Sequence, residues 1–169
     1  VWFCKLNKIP HQIKLTKVAN NEQLSEEYAK INPFKKLPSI NDDGFILFES
    51  HTILRYLSQK FKIPDHWYPT DLQRRAKIDS YLDWHHTNLR KAHTFVWTSF
   101  IAPRVGLQSE IIPQAEKEMR AAIQGLDSFW LQTTKFITGE EVSIADLSAT
   151  CELEQLTVIN YDFSPFPNV

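Results

Sequence analysis

Leu37-Pro38 and, one hairpin later, Glu49-Ser50 are the residues of this chain whose types and spacing say most about chemistry. A proline inside an otherwise strand-like string cannot donate to a ladder, so it belongs at an edge or a bend. A cis bond there would turn the Leu37 N–H and C=O outward, where a ligand's peptide backbone could pair with them as an added strand. Glu49-Ser50 stands where a helix begins. The first N–H groups of a helix are unpaired and carry partial positive charge, so a ligand carboxylate can dock on the Ser50 N–H and hydroxyl while Glu49 receives a ligand ammonium. Together these contacts match one amino-acid head group. Read alone, Leu37-Pro38 is better explained as an ordinary strand edge, since only about 5% of X-Pro bonds are cis. Ser50 alone is better explained as the cap of its own helix. What favours the functional reading is an exposed peptide edge and a zwitterion site separated by a single hairpin.

Other candidates are weaker. His85-His86 with His93 invites a metal-site reading, but adjacent histidines on a helix point about 100° apart, and neither an HExxH pattern nor a convergent carboxylate accompanies them. Metal binding is therefore not expected. Cys4 lies beside Phe3 and Leu6 in a helical string, which makes it a small buried apolar residue rather than a nucleophile. The cysteines Cys4 and Cys151 are far apart and form no CxxC or CxxH arrangement, which excludes a disulfide framework or zinc knuckle and fits a reducing, cytoplasmic setting. Asp71-Leu72-Gln73-Arg74-Arg75 and Arg90-Lys91 read as solvated faces rather than a nucleic-acid patch.

The elements that must position these residues follow from periodicity. Val1-Trp2-Phe3-Cys4-Lys5-Leu6 reads as the last turns of a helix. HQIKLTKV from His11 to Val18 alternates like a strand with one covered face. Asn20 and Asn21 can cap a short helix carrying Leu24, Tyr28 and Ile31, stopped at Asn32-Pro33. LPSI at 37–40, a turn at Asn41-Asp42-Asp43-Gly44 and FILF at 45–48 form a hairpin. The next helix carries Ile53, Leu54, Leu57 and Phe61 on one side. Residues 1–61 thus give helix-strand-helix-strand-strand-helix, an α/β thioredoxin-like order whose first strand is missing.

Residues 62–70, KIPDHWYPT, hold two prolines and no periodicity and read as a linker. From 71 to 169 the apolar positions recur at helical spacing, giving an all-α bundle. One long run holds Leu72, Ala76, Tyr81, Leu82, Leu89, Ala92, Val96 and Phe100. A second holds Ile112, Ala115, Met119, Ile123, Leu126 and Trp130. A third helix follows Gly139, with Ser143 and Asp146 spaced as a reciprocal capping box. The end, Ser164-Pro165-Phe166-Pro167-Asn168-Val169, resembles the approach to a further helix with Asn168 as its cap. Both ends are expected to be truncated.

Bulk properties set the classes of partner. The 169 residues are 43% hydrophobic and 23% charged, as in an ordinary folded protein. Nineteen basic and 20 acidic residues leave a net charge of −1, so no global field draws the chain to nucleic acid or anionic lipid. No apolar run approaches the roughly 20 residues of a membrane span. A small-molecule or protein partner fits best.

The strings Asn32-Pro33-Phe34-Lys35-Lys36-Leu37-Pro38-Ser39-Ile40 and Phe48-Glu49-Ser50-His51-Thr52-Ile53-Leu54-Arg55-Tyr56-Leu57 resemble the glutathione-site signature of cytosolic glutathione transferases. The resemblance runs through Trp67-Tyr68-Pro69, Ile137-Thr138-Gly139 and Ser143-Ile144-Ala145-Asp146-Leu147. Trp84-His85-His86-Thr87-Asn88-Leu89-Arg90 is most similar to the theta class. The resemblance implies that Leu37, beside a cis Pro38, pairs with the cysteinyl backbone of glutathione, that Glu49 and Ser50 hold the γ-glutamyl group, and that Lys36 lies near the glycyl carboxylate. Gln23 stands where theta enzymes often carry a histidine, and it donates a hydrogen bond but no charge. Arg90 matches an arginine that reaches the active-site cleft, where a cation favours thiolate; the alternative is a surface ion pair. The serine whose hydroxyl stabilises the thiolate would precede Val1, so no catalytic residue in this chain takes its place. Implied, too, are conjugation of alkyl or aralkyl halides and epoxides, reduction of organic hydroperoxides, and a homodimer with an isologous interface. A non-enzymatic binding or interaction module on the same fold is the alternative.

Overall fold

The apolar side of the first residues does make a helix: α1 (Trp2–Leu6) buries Phe3 and Cys4 and is closed by Asn7, whose N–H and side-chain amide both donate to the Phe3 carbonyl. The computed structural model describes residues 1–106 and 111–169, which divide into two units, Val1–Pro64 and Asp65–Val169.

In the first unit, residues 11–17 form no strand, contrary to the expectation from their alternation. Ile13 is 58% exposed and Leu15 76%. Alternation supplies an apolar face, but a strand also needs a neighbour's N–H and C=O groups, and among the described residues none pairs with this segment. The following helical region is broken into 3-10 turns at Val18–Asn20 and Glu22–Leu24 and a short α2 (Glu26–Ala29). Its cap is Ser25, whose hydroxyl accepts from the Tyr28 N–H at 3.1 Å, not Asn20 or Asn21. Asn21 instead takes a left-handed conformation between the two turns, and Tyr28 alone of the expected apolar face is buried.

In the hairpin, β1 (Ser39–Asp42) lies two residues later than the string suggests, while β2 (Phe45–Phe48) falls where it was expected, so the turn shortens to Asp43-Gly44. Asp43 and Gly44 both have positive φ, +50° and +95°, the conformation that matches a two-residue turn to the right-handed twist of its strands. This turn pairs Asp42 with Phe45 and, at the other end, Ser39 with Phe48. Helix α3 (Ser50–Lys60) follows and buries His51, Ile53 and Leu57. It is tied to the hairpin through Asp42, which accepts from the Tyr56 hydroxyl and from Lys60. The Lys60 hydrogen bond, then that of Tyr56, hold the Asp42 carboxyl below its ordinary pKa.

The second unit begins at Asp65, where a 3-10 turn (Asp65–Trp67) and buried Trp67 and Pro69 lead into α4 (Leu72–Thr87), capped by Asp71. The expected single run from 72 to 100 breaks at Asn88-Leu89-Arg90 and resumes as α5 (Lys91–Val96), a π-helical turn (Trp97–Ile101) and α6 (Ala102–Arg104). Leu72, at 76% exposed, and Ala76 are not on the buried face. That face begins at Ile78, roughly 240° around the helix from Leu72 at 100° per residue, and continues through Tyr81, Leu82 and His85.

Helix α7 (Ile112–Gly125) supplies Ala115, Met119 and Ile123 to the core and runs into a second π-helical turn (Leu126–Trp130). Gly125 has no room for a side chain to spare, since a Cβ there would meet the Trp84 ring at 3.3 Å. Helix α8 (Ile144–Leu153) starts with the expected capping box: Ser143 accepts from the Ala145 N–H at 3.2 Å and Asp146 from the Ser143 N–H at 2.8 Å. The final segment makes turns, not a helix, within the described residues. Asn168 donates its N–H to buried Asp127, and Phe166 is buried.

Candidate functional site

The hairpin register decides where the expected ligand residues fall. Because Ser39 pairs with Phe48, Leu37-Pro38, just before β1, and Glu49-Ser50, just after β2, emerge at the same end of the sheet. The Leu37-Pro38 bond is cis. The ladder starts only at Ser39, so the Leu37 N–H and C=O lie outside it, and the Leu37 side chain is 44% exposed.

Helix α3 opens without a side-chain cap. Glu49 occupies the cap position, but its carboxylate accepts none of the helix N–H groups, and Ser50 is the first helical residue rather than the cap. The simpler reading of Ser50 as the cap of its own helix thus does not hold. No cap side chain answers the start of the helix, and no acidic side chain lies in its first turn. Glu49 has φ +70° and ψ 112°, a conformation uncommon for a residue with a side chain and concentrated at ligand-binding positions. Glu49 is exposed and Ser50 half-buried.

Two residues that the sequence reading assigned only to a helix and its end turn out to hold this edge in place. Asn32, 2% exposed, donates its amide to the Lys36 carbonyl at 2.8 Å, and the Tyr28 hydroxyl donates to the same oxygen at 2.9 Å. Tyr28 also meets the Ser39 hydroxyl at 3.1 Å, so one side chain fixes the backbone on both sides of Leu37-Pro38. The Asn32 oxygen accepts from the Phe34 N–H at 3.0 Å, closing the turn after α2. The sequence signal was the Asn-Pro step, legible as a helix stop but not as a clamp. Lys36 itself is exposed, and the half-buried Gln23 keeps a buried amide oxygen with no hydrogen-bond partner among the described residues, an acceptor a ligand or solvent can satisfy.

In the second unit, Arg90 does not stand alone. Its Nη1 donates to Glu152 Oε2 at 3.0 Å, and while the Arg90 side chain is 53% exposed, that of Glu152 is only 4% exposed. His85, also buried, reaches the same oxygen at 3.6 Å and contacts the Tyr81 hydroxyl at 3.3 Å. Gln155 donates to the other Glu152 oxygen at 3.1 Å and is met by His93 at 2.9 Å. Burial by itself would raise the Glu152 carboxyl; the His85 hydrogen bond and the Arg90 charge outweigh it and hold the pKa below the ordinary value. Burial also pushes the Tyr81 hydroxyl well up, so it remains a neutral donor.

His85 and His93 make polar contacts within the helical unit, and among the described residues no group of three His, Cys, Asp or Glu could hold a metal ion. Cys4 is buried, as expected of an apolar residue, and Cys151 is a free, exposed thiol. Arg74 pairs with Glu141 and Lys91 with Glu118, so these two basic residues of the Asp71–Arg75 and Arg90-Lys91 strings are matched by acids. No described helix is long and apolar enough to cross a membrane.

This site, an added-strand edge beside an uncapped helix on a thioredoxin-like unit followed by a helical unit, defines a class that comparison with known proteins makes specific. Residues 1–59 match the family described as Glutathione S-transferase, N-terminal domain. Over 164 residues the chain is 47% identical to glutathione S-transferase T1 of Arabidopsis thaliana, covering 94% of this chain and 67% of that protein. It is 39% identical over 157 residues to rat glutathione S-transferase theta-1, covering 89% and 65% respectively. Human glutathione S-transferase T1-1 superposes with a TM-score of 0.91 at 36% identity, covering 98% of this chain and 72% of that structure. Human glutathione transferase theta-2, solved with glutathione and an unknown ligand, gives 0.92 at 36% identity, covering 98% and 70%. The chain belongs to the glutathione S-transferase family. Its resemblance is to the theta class, and it spans about two thirds of the length of the theta-1 relatives.

Proposed function

We propose that the protein binds glutathione and transfers its thiolate to small electrophiles. The observation that carries this reading is the hairpin register, which sets the free Leu37 backbone beside the uncapped start of α3. The cysteinyl backbone of glutathione adds as a short strand along Leu37, next to the cis Pro38. The γ-glutamyl carboxylate docks on the Ser50 N–H and hydroxyl and its ammonium on Glu49, while Lys36 and Gln23 serve the glycyl carboxylate.

Once glutathione is bound, loss of its thiol proton to water gives the nucleophile. The sulfur lone pair forms the new S–C bond as the carbon–halogen bond of an alkyl or aralkyl halide breaks and halide leaves; with an epoxide, the ring C–O bond breaks instead. For Arg90 we carry forward the role that the family resemblance implies, a positive charge that favours the thiolate. Organic hydroperoxides are further candidate substrates. The division of labour is between a glutathione-binding domain and a helical domain that selects the electrophile, in a cytoplasmic homodimer.

Calorimetric titration tests the site. Ser50→Ala should weaken glutathione binding by about 1–3 kcal/mol, the loss of a hydrogen bond to a charged group. Unchanged affinity removes Ser50 from the site. Binding to immobilised glutathione without conjugation of any of several halides would leave a binding module in place of an enzyme.

A further inference from the structure

The Lys36 carbonyl is held more firmly than the exposed position of its residue requires. Its oxygen accepts from two side chains of the same unit, the Tyr28 hydroxyl at 2.9 Å and the Asn32 amide at 2.8 Å. A carbonyl oxygen has two lone pairs, and a single donor leaves the peptide plane free to swing about it. Two donors, both on buried residues, occupy both lone pairs and fix that plane.

The same Tyr28 hydroxyl lies 3.1 Å from the Ser39 hydroxyl. A phenol carries one proton and a carbonyl can only accept, so the Tyr28 proton goes to Lys36 and Ser39 donates its own to Tyr28. The bonds run in one direction, from Ser39 to Tyr28 to Lys36, and polarise one another. On the other flank Lys35 is tied down, its Nζ donating to the Leu24 carbonyl at 2.9 Å.

The consequence lies across the peptide. The Lys36-Leu37 bond is trans, and in a trans peptide the N–H points opposite to the C=O. With the carbonyl held toward Tyr28 and Asn32, the Leu37 N–H points away from them, and it donates to no group among the described residues. Charge drawn onto the carbonyl oxygen also makes that N–H a stronger donor, by about 10–30% per bond.

We infer that Tyr28 is a positioning residue for thiol-peptide binding. Through the Lys36-Leu37 peptide it aims and strengthens the Leu37 N–H for the cysteinyl carbonyl of the ligand. This rests on the proposed glutathione binding, and it gives a part to a hydroxyl that acts only through the backbone.

The test uses Tyr28→Phe and Ser39→Ala in the full-length protein, with two ligands. One is glutathione; the other is γ-glutamylcysteamine, which keeps the γ-glutamyl group and the amide N–H but lacks the cysteinyl carbonyl. NMR titration gives both affinities and follows the Leu37 amide, and thermal melts check folding. Tyr28→Phe keeps the ring packed and leaves Asn32 on the carbonyl, so the fold should hold. It should weaken glutathione about fivefold, the worth of one net hydrogen bond, and Ser39→Ala should weaken it less. For γ-glutamylcysteamine the change should stay under about twofold. In the ligand-free Tyr28→Phe protein the Leu37 amide proton should move upfield as its peptide loses polarisation.

An equal loss for both ligands would overturn the inference, because Tyr28 would then act through the fold alone. A Leu37 amide indifferent to Tyr28→Phe would overturn it as well, whatever the affinities. If the wild type binds neither ligand while the Leu37 amide still responds to Tyr28→Phe, the aiming of the N–H survives and the glutathione reading fails.

Discussion

Asp146→Ala should cost the helical unit about 3 kcal/mol. The Asp146 carboxylate serves three donors: the Ile137 N–H at 2.8 Å through one oxygen, and the Ser143 N–H at 2.8 Å and hydroxyl at 2.9 Å through the other. Ile137 is 5% exposed and Ser143 1%, so solvent cannot readily replace the lost acceptor. A buried donor left without a partner costs about 1–3 kcal/mol, and loss of a helix cap about 1 kcal/mol. Two backbone N–H groups are affected, but Asp146 is itself half-buried, so water entering its place recovers part of the loss. Asp146→Asn should fall between wild type and alanine, because its amide keeps one acceptor and turns a donor toward the other N–H. Urea denaturation followed by tryptophan fluorescence measures the effect, and with a slope of about 2 kcal/mol per molar the midpoint should drop by about 1.5 M. A drop under about 0.5 M for alanine, or asparagine worse than alanine, would refute the reasoning that these hydrogen bonds stabilise the fold.

Further expectations rest on other parts of the structure. Asn32→Ala removes the second donor to the Lys36 carbonyl and leaves the Phe34 N–H unmet, so stability should fall by about 1–3 kcal/mol and glutathione affinity should fall with it; thermal melts and calorimetry measure the two. The depressed pKa of Glu152 stabilises the native state fully above the ordinary glutamate value of 4.5, and that contribution is lost as pH falls through the lower native value. Denaturation below pH 4.5 should therefore be less steep in Glu152→Gln than in wild type, as chemical melts across the acid range can show. Asp42 acts in the same direction through Lys60 and Tyr56, so Asp42→Asn should likewise flatten part of that acid limb.

The capping box at Ser143 and Asp146, the burial of Cys4 and the hairpin with its Asp-Gly turn were legible in sequence because each is a local matter of spacing and turn chemistry. The proposed ligand residues 37, 38, 49 and 50 were legible as types, and their strings as a family signature. That Leu37-Pro38 and Glu49-Ser50 share one end of the sheet depended on the register, and periodicity placed the first strand two residues early while it set the second at its observed bounds.

What needed the tertiary structure was every feature set by a partner distant in sequence. Residues 11–17 alternate like a strand, yet a strand exists only where another supplies its hydrogen bonds. Tyr28 and Asn32 belong to a helix and its end by pattern, and only the fold turns them onto the Lys36 carbonyl. Arg90 could be read as a cation for the active site or as a surface ion pair. Glu152 lies 62 positions away, where no spacing rule reaches, and only packing could show that the pair anchors a half-exposed guanidinium on a buried acid. The sequence by itself determined which groups were available and which local elements they would start. The tertiary structure decided which groups meet, because burial and pairing depend on neighbours that the chain brings together only by folding.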